Sequence, residues 1–135
     1  MAKAMKAALA AIGVVAAMSA QAGSYGGDDK LAKQCVITTS GGPVVSYIGA
    51  QFDYLEAEIY AGEFTNGRDR TGMLGKLSEA AQKVRAKKLA DASVKLQDIH
   101  DKADTLASAA KPKLVSADGI MEAAALAKEC VDNTI

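Results

Sequence analysis

Tryptophan is absent from this 135-residue chain, and aromatic residues make up only 4% of it. All of them (Tyr25, Tyr47, Phe52, Tyr54, Tyr60 and Phe64) precede residue 65. The second half must therefore build its core from Ala, Leu, Ile and Val, and so thin a core gives modest stability from burial alone. An excess of charge is lacking too, with 16 basic residues against 16 acidic ones. That balance leaves no electrostatic footprint for nucleic acid or anionic lipid. Histidine occurs once, at His100, and the two cysteines form no CxxC or His/Cys cluster, so metal ligands are wanting. No Ser or Cys nucleophile lies at a motif spacing from His100. The glycines at 23, 26, 27, 41 and 42 lack the following Lys-Ser/Thr of a phosphate loop. Catalytic residues, cofactor and metal are accordingly all expected to be none.

What is present begins with an export signal over residues 1–22. Lys3 and Lys6 supply a positive start, Ala7 to Met18 an apolar run, and Ala20-Gln21-Ala22 a small-x-small cleavage site. The apolar run falls short of the roughly 20 residues that span a bilayer, so no stable membrane insertion is expected after cleavage. Loss of Lys3 and Lys6 leaves 14 basic against 16 acidic residues, a net charge of −2. The expected location is periplasmic or extracellular. In such an oxidising compartment an even cysteine pair usually closes, so Cys35 and Cys130 are expected to form a bridge. The alternative is two separately packed small apolar residues.

Residues 23–43 read as a flexible leader and a short N-terminal arm. Gly23 to Asp29 has a linker's composition. Leu31 to Thr39 fits a strand, a short helix or a packed extended arm. Ser40-Gly41-Gly42-Pro43 is a break, with Pro43 placed as the first residue of a helix. A helical domain is expected over 44–135. Val45, Ile48, Phe52, Leu55 and Ile59 line one face of a first helix that Gly62 closes in left-handed backbone. Thr65 or Asn66 caps a second helix, running to about Ala86 and burying Leu74, Leu77, Ala81 and Val84. Leu89, Ala92, Leu96, Ile99, Ala103, Leu106 and Ala110 mark a third, ended by Lys111-Pro112-Lys113. After Ser116 as cap, a fourth buries Ile120, Ala124, Ala127 and Val131, with Leu126 and Cys130 beside them. A shift of 51 superimposes Val45 on Leu96, Ile48 on Ile99 and Thr65 on Ser116, so each half reads as a long helix, a turn and a shorter helix. The expected fold is all-α, an antiparallel four-helix bundle of two helical hairpins with a short N-terminal arm.

The stretches Ile59-Tyr60-Ala61-Gly62-Glu63-Phe64-Thr65 and Met73-Leu74-Gly75-Lys76-Leu77-Ser78-Glu79-Ala80 resemble the first hairpin of the FIMAH domain. Lys88 to Ala92, Leu96, Ile99 and Leu106 are similar to that family's long third helix. Leu114-Val115-Ser116 and the Ala-rich segment after it resemble its last hairpin. The likeness covers about residues 44–131 and implies a small helical module of secreted bacterial proteins without established catalytic residues. Pro112 departs from the family's usual glycine, and the cysteine pair is additional.

Among polar groups, His100 and Asp104 share a helix face at i,i+4 and read as a solvated pair. Asp53, Glu56 and Glu58 read as the exposed face of the first helix. The dense polar cluster at Arg68, Asp69 and Arg70 and the face shared by Tyr47 and Tyr54 are the candidate interaction surface. The function expected is an exported, non-enzymatic accessory or protein-interaction module of the cell envelope or periplasm, its partner an unidentified protein or envelope component. The alternatives are a self-associating structural envelope protein and a small metal-binding stress protein.

Overall fold

The computed structural model describes residues 25–135; the expected export signal lies outside them. A 3-10 turn at Asp29–Leu31 leads into strands β1 (Gln34–Thr39) and β2 (Gly42–Tyr47). Helices α1 (Ile48–Ala61), α2 (Gly67–Arg85), α3 (Leu89–Ser108) and α4 (Asp118–Asp132) follow. Each helix packs on its neighbours in the cyclic order α1, α2, α3, α4, with α3 against α4 the most extensive pairing. β1 lies on α4.

The expectation of an all-α bundle is corrected by the hairpin, which makes the fold mixed α and β. β1 and β2 pair antiparallel from Gln34 opposite Tyr47 to Thr39 opposite Gly42. Their inner face buries Cys35, Ile37 and Ser46 against the helices. Ser40 and Gly41 form the two-residue connection, and Gly42 takes φ +105°, which a side chain would strain. Thr39 Oγ1 donates to the Gly42 carbonyl at 2.7 Å and accepts from the Gly41 N–H at 3.2 Å. Pro43 therefore starts no helix. It sits on the outer edge of β2, where its missing N–H removes no ladder bond. The first helix begins at Ile48 rather than Val44, and Val45 is a strand residue, 56% exposed.

The disulfide joins Cys35 of β1 to Cys130 of α4, with Cα atoms 5.0 Å apart and both residues fully buried. Beside it the C-terminal residues run along the far side of β1. Val36 N–H donates to the Asn133 carbonyl at 3.2 Å and Ile135 N–H to the Gln34 carbonyl at 2.9 Å. Cys35 and Thr134 form an isolated antiparallel bridge. One side of β1 is thus taken by β2 and the other by residues 133–135.

Tyr25 to Asp29, whose composition marks a flexible leader, is packed. Tyr25 is buried and meets Phe52 edge to face at 5.7 Å. The Asp53 carboxylate accepts from the Tyr25 and Gly26 N–H groups at 3.1 and 2.8 Å. Asp28 pairs with Arg85 at 2.6 Å, tying this strap to the end of α2. Gly49 lets the strap approach, since a Cβ there would stand 2.5 Å from the Tyr25 carbonyl oxygen. Asp53 is therefore not part of an exposed acidic face.

Other elements follow the sequence pattern more closely. Phe52, Leu55, Ile59, Leu77, Ala81, Val84, Leu96, Ile99, Ile120, Ala127 and Val131 all enter the core. Asn66 rather than Thr65 caps α2, accepting from Arg68 N–H at 2.8 Å. Gly62 closes α1 in extended backbone (φ −65°, ψ 142°), not the left-handed one. Lys87 takes that conformation instead, at φ 63°. Its N–H reaches the Val84 carbonyl and the Lys88 N–H the Lys83 carbonyl, a Schellman ending for α2. α3 stops at Ser108, short of Pro112, and leaves Ala110 exposed.

The repeat is partly visible. α2 and α4 start at Gly67 and Asp118, which the shift of 51 superimposes. The turns before them pair with each other through Phe64 and Leu114, with Thr65 N–H on the Lys113 carbonyl and Val115 N–H on the Glu63 carbonyl. The first half does not run long then short, because the hairpin takes the start of α1. That helix has 14 residues against 19 in α2.

Candidate functional site

The expected interaction residues fall into separate places. Tyr47 is the last strand residue and the N-cap of α1, so the helical spacing that would set it above Tyr54 does not apply. Tyr54 is half-buried. Burial, then the charges of Glu58 and Glu122, push its phenol up to about 12, and it stays protonated. Arg70 is a structural clamp on the turn after α1, donating to the Gly62 carbonyl at 2.8 Å with its guanidinium 5.1 Å from the Phe64 ring centre. Arg68 is exposed and Asp69 half-buried in the first turn of α2. Tyr47 and Arg70 stand at opposite ends of α1, about 20 Å apart along its axis.

A groove of about 360 Å³ between α3 and α4 holds His100, with Leu96, Gln97, Lys128, Glu129 and Asp132 along its walls. Its polar groups already have partners. His100 Nδ1 meets Asp101 Oδ1 at 3.1 Å rather than the expected Asp104. That contact and the Gln97 amide hold the Asp101 carboxyl below its ordinary range. Glu129 accepts from the Thr38 N–H and hydroxyl at 3.1 and 2.7 Å, latching β1 to α4. Lys128 pairs with Asp132 at 2.9 Å. Burial alone would raise Asp132, but Ser93 and Lys128 hold it below its usual value. Glu58 is half-buried against Gly119, and burial followed by the Glu122 charge raises its carboxyl. Among the described residues no three His, Cys, Asp or Glu side chains are grouped to hold a metal ion.

The surface with unspent capacity is the outer face of the hairpin. By strand alternation Gln34, Val36, Pro43, Val45 and Tyr47 project there, and Ile135 extends the row beyond Gln34. Val45, Tyr47 and Ile135 are 56%, 42% and 74% exposed. The Gln34 amide spans to the Tyr47 hydroxyl at 3.3 Å. No charged side chain occurs between Lys33 and Asp53. Along β2 the Val45 and Tyr47 N–H groups have no hydrogen-bond partner among the described residues. Exposed sheet edges are commonly blunted by charge or by proline; this one has Pro43 at its start and no charge. Sequence reasoning found Tyr47 but missed Pro43 and Val45. The available signal was two β-branched runs, residues 36–39 and 44–45, separated by Ser-Gly-Gly-Pro.

Comparison of the chain with protein-family models, with curated proteins and with solved structures finds no match. No described helix is long and apolar enough to cross a membrane. The buried Cys35–Cys130 bridge points to an oxidising compartment.

Proposed function

We propose that this chain is an exported, non-enzymatic interaction module of the cell envelope or periplasm, binding protein through the outer face and free edge of its hairpin. The observation that carries the reading is the uncharged β2 edge. Val45 and Tyr47 N–H groups, unpaired among the described residues, lie there beside exposed Val45, Tyr47 and Ile135 side chains. Strand addition to such an edge takes affinity from main-chain hydrogen bonds and selectivity from alternate side chains. The buried disulfide supports the exported setting, as does the sequence of residues 1–22. The likeness of residues 44–131 to FIMAH modules supports a non-catalytic role.

Two measurements test this. Cells expressing the full chain are fractionated and the protein is weighed intact. A chain starting at Gly23 and lighter by two hydrogens than its reduced form is expected; an uncleaved chain with free thiols contradicts export. Chemical cross-linking in the envelope fraction is then compared for wild type and Val45→Lys. Cross-linked species lost in the variant support the hairpin as the binding surface, and identical patterns refute it.

A further inference from the structure

The free edge of β2 is complementary to itself. Antiparallel strands alternate pairs that exchange hydrogen bonds with pairs that do not. Val36 sends its N–H away from β2 to Asn133, so Val36 and Val45 are a non-bonded pair and the Val45 N–H and C=O point out of the hairpin. Pro43 and Tyr47, two residues to either side, point the same way. In chain order the edge offers a carbonyl without an N–H at Pro43, both groups at Val45, and an N–H at Tyr47. The Tyr47 carbonyl is already occupied, because as the N-cap residue it accepts the first bond of α1.

A two-fold axis at Val45 matches these groups in full. Val45 exchanges both bonds with Val45 of the second copy, and each Tyr47 N–H meets the other copy's Pro43 carbonyl. The donor that proline lacks faces the one carbonyl that needs none. On the outer face Val45 meets its own copy and Tyr47 lies across from Pro43, and the charge-free run between Lys33 and Asp53 brings no repulsion to an isologous contact. From this match we infer that the hairpin's partner is a second copy of this chain, the two hairpins joining into one continuous antiparallel four-stranded sheet. The inference rests on the reading of the hairpin as the binding surface and supplies its occupant.

Light scattering coupled to size exclusion, on the exported protein with its disulfide closed, tests the pairing over micromolar to millimolar concentration. Wild type is expected to move from monomer to dimer mass. Val45→Lys sets two ammonium groups at the axis and should weaken the dimer more than about 100-fold. Val45→Thr keeps a β-branched strand residue and should stay within about tenfold of wild type. A measurement independent of any variant is a cross-copy contact in a mixture of labelled and unlabelled wild type. It is expected between the α-protons of Ser46 and Val44, which the two-fold places opposite each other as a non-bonded pair. Wild type that stays monomeric throughout overturns the inference, as does a Val45→Lys dimer of undiminished affinity. A monomer whose envelope cross-links still depend on Val45 sinks the self-pairing alone; a monomer without such cross-links sinks the binding reading with it.

Discussion

Replacing Cys35 and Cys130 together by alanine should cost this domain a large share of its stability. The bridge closes a loop of 95 residues' separation, within which nearly the whole described chain lies. In the chain-entropy treatment a loop of that length is worth about 4.7 kcal/mol at room temperature. Measured bridges often deliver less, so about 3–5 kcal/mol is expected, against a usual total of about 5–15 kcal/mol for a domain. Urea unfolding followed by far-UV circular dichroism reads it directly. With a slope near 1.5 kcal/mol per molar, the midpoint should fall by roughly 2–3 M. The slope itself should rise, because the unfolded variant is no longer cross-linked and exposes more surface. The loss should be felt first where β1, α4 and the C-terminal residues meet, since Thr38–Glu129 and Val36–Asn133 then hold the hairpin without the covalent link. A double variant within 1 kcal/mol of wild type, at unchanged slope, would refute the reasoning.

Lys87→Gly should stabilise by about 0.5–1 kcal/mol, because a side chain is strained at the left-handed Schellman position it occupies. A calorimetric midpoint raised by about 2–5 °C is expected, and a lowered one contradicts the assignment. Gly49→Ala should cost about 1–3 kcal/mol by pushing Tyr25 and Gly26 off α1, with loss of near-UV tyrosine signal; wild-type stability would show that the strap yields freely. Glu58→Gln should raise the melting temperature at neutral pH, where the wild-type carboxylate is charged in a half-buried site beside Glu122. For a carboxyl whose folded pKa is raised, the penalty exists above that value and fades as pH falls toward its ordinary 4.5. The variant's advantage should therefore disappear in acid, and a constant difference across pH would oppose the electrostatic cause.

Much of the helical layer was legible because its signal is local. The apolar stripes of α3 and α4 repeat at helical spacing, and the same side chains fill the core. The bridge was legible from the even cysteine count together with the expectation of export. The hairpin was not, for two physical reasons. Val45 falls by coincidence on the 3–4 spacing of Ile48, Phe52 and Leu55, so a strand residue passes for the start of a helical stripe. Pro43 suits a helix start as well as it suits a free strand edge, and only the pairing of β2 with β1 decides between them. The strap was hidden because its glycine-rich composition reads as flexibility, while the residue that lets it pack, Gly49, lies on α1, where a Cβ would meet the Tyr25 carbonyl. Of the candidate site, Tyr47 was visible as an exposed aromatic. The unpaired amides were not, because they belong to the backbone and to the register.

Amide hydrogen exchange at Val45 and Tyr47, measured residue by residue at low and high protein concentration, tests the hairpin edge as the working surface most directly. In dilute protein both amides should exchange freely while Val44 and Ser46, bonded across to β1, are protected. At high concentration the Val45 and Tyr47 amides should become protected together. Free exchange of both at every concentration, or protection already present in a proven monomer, would contradict the account.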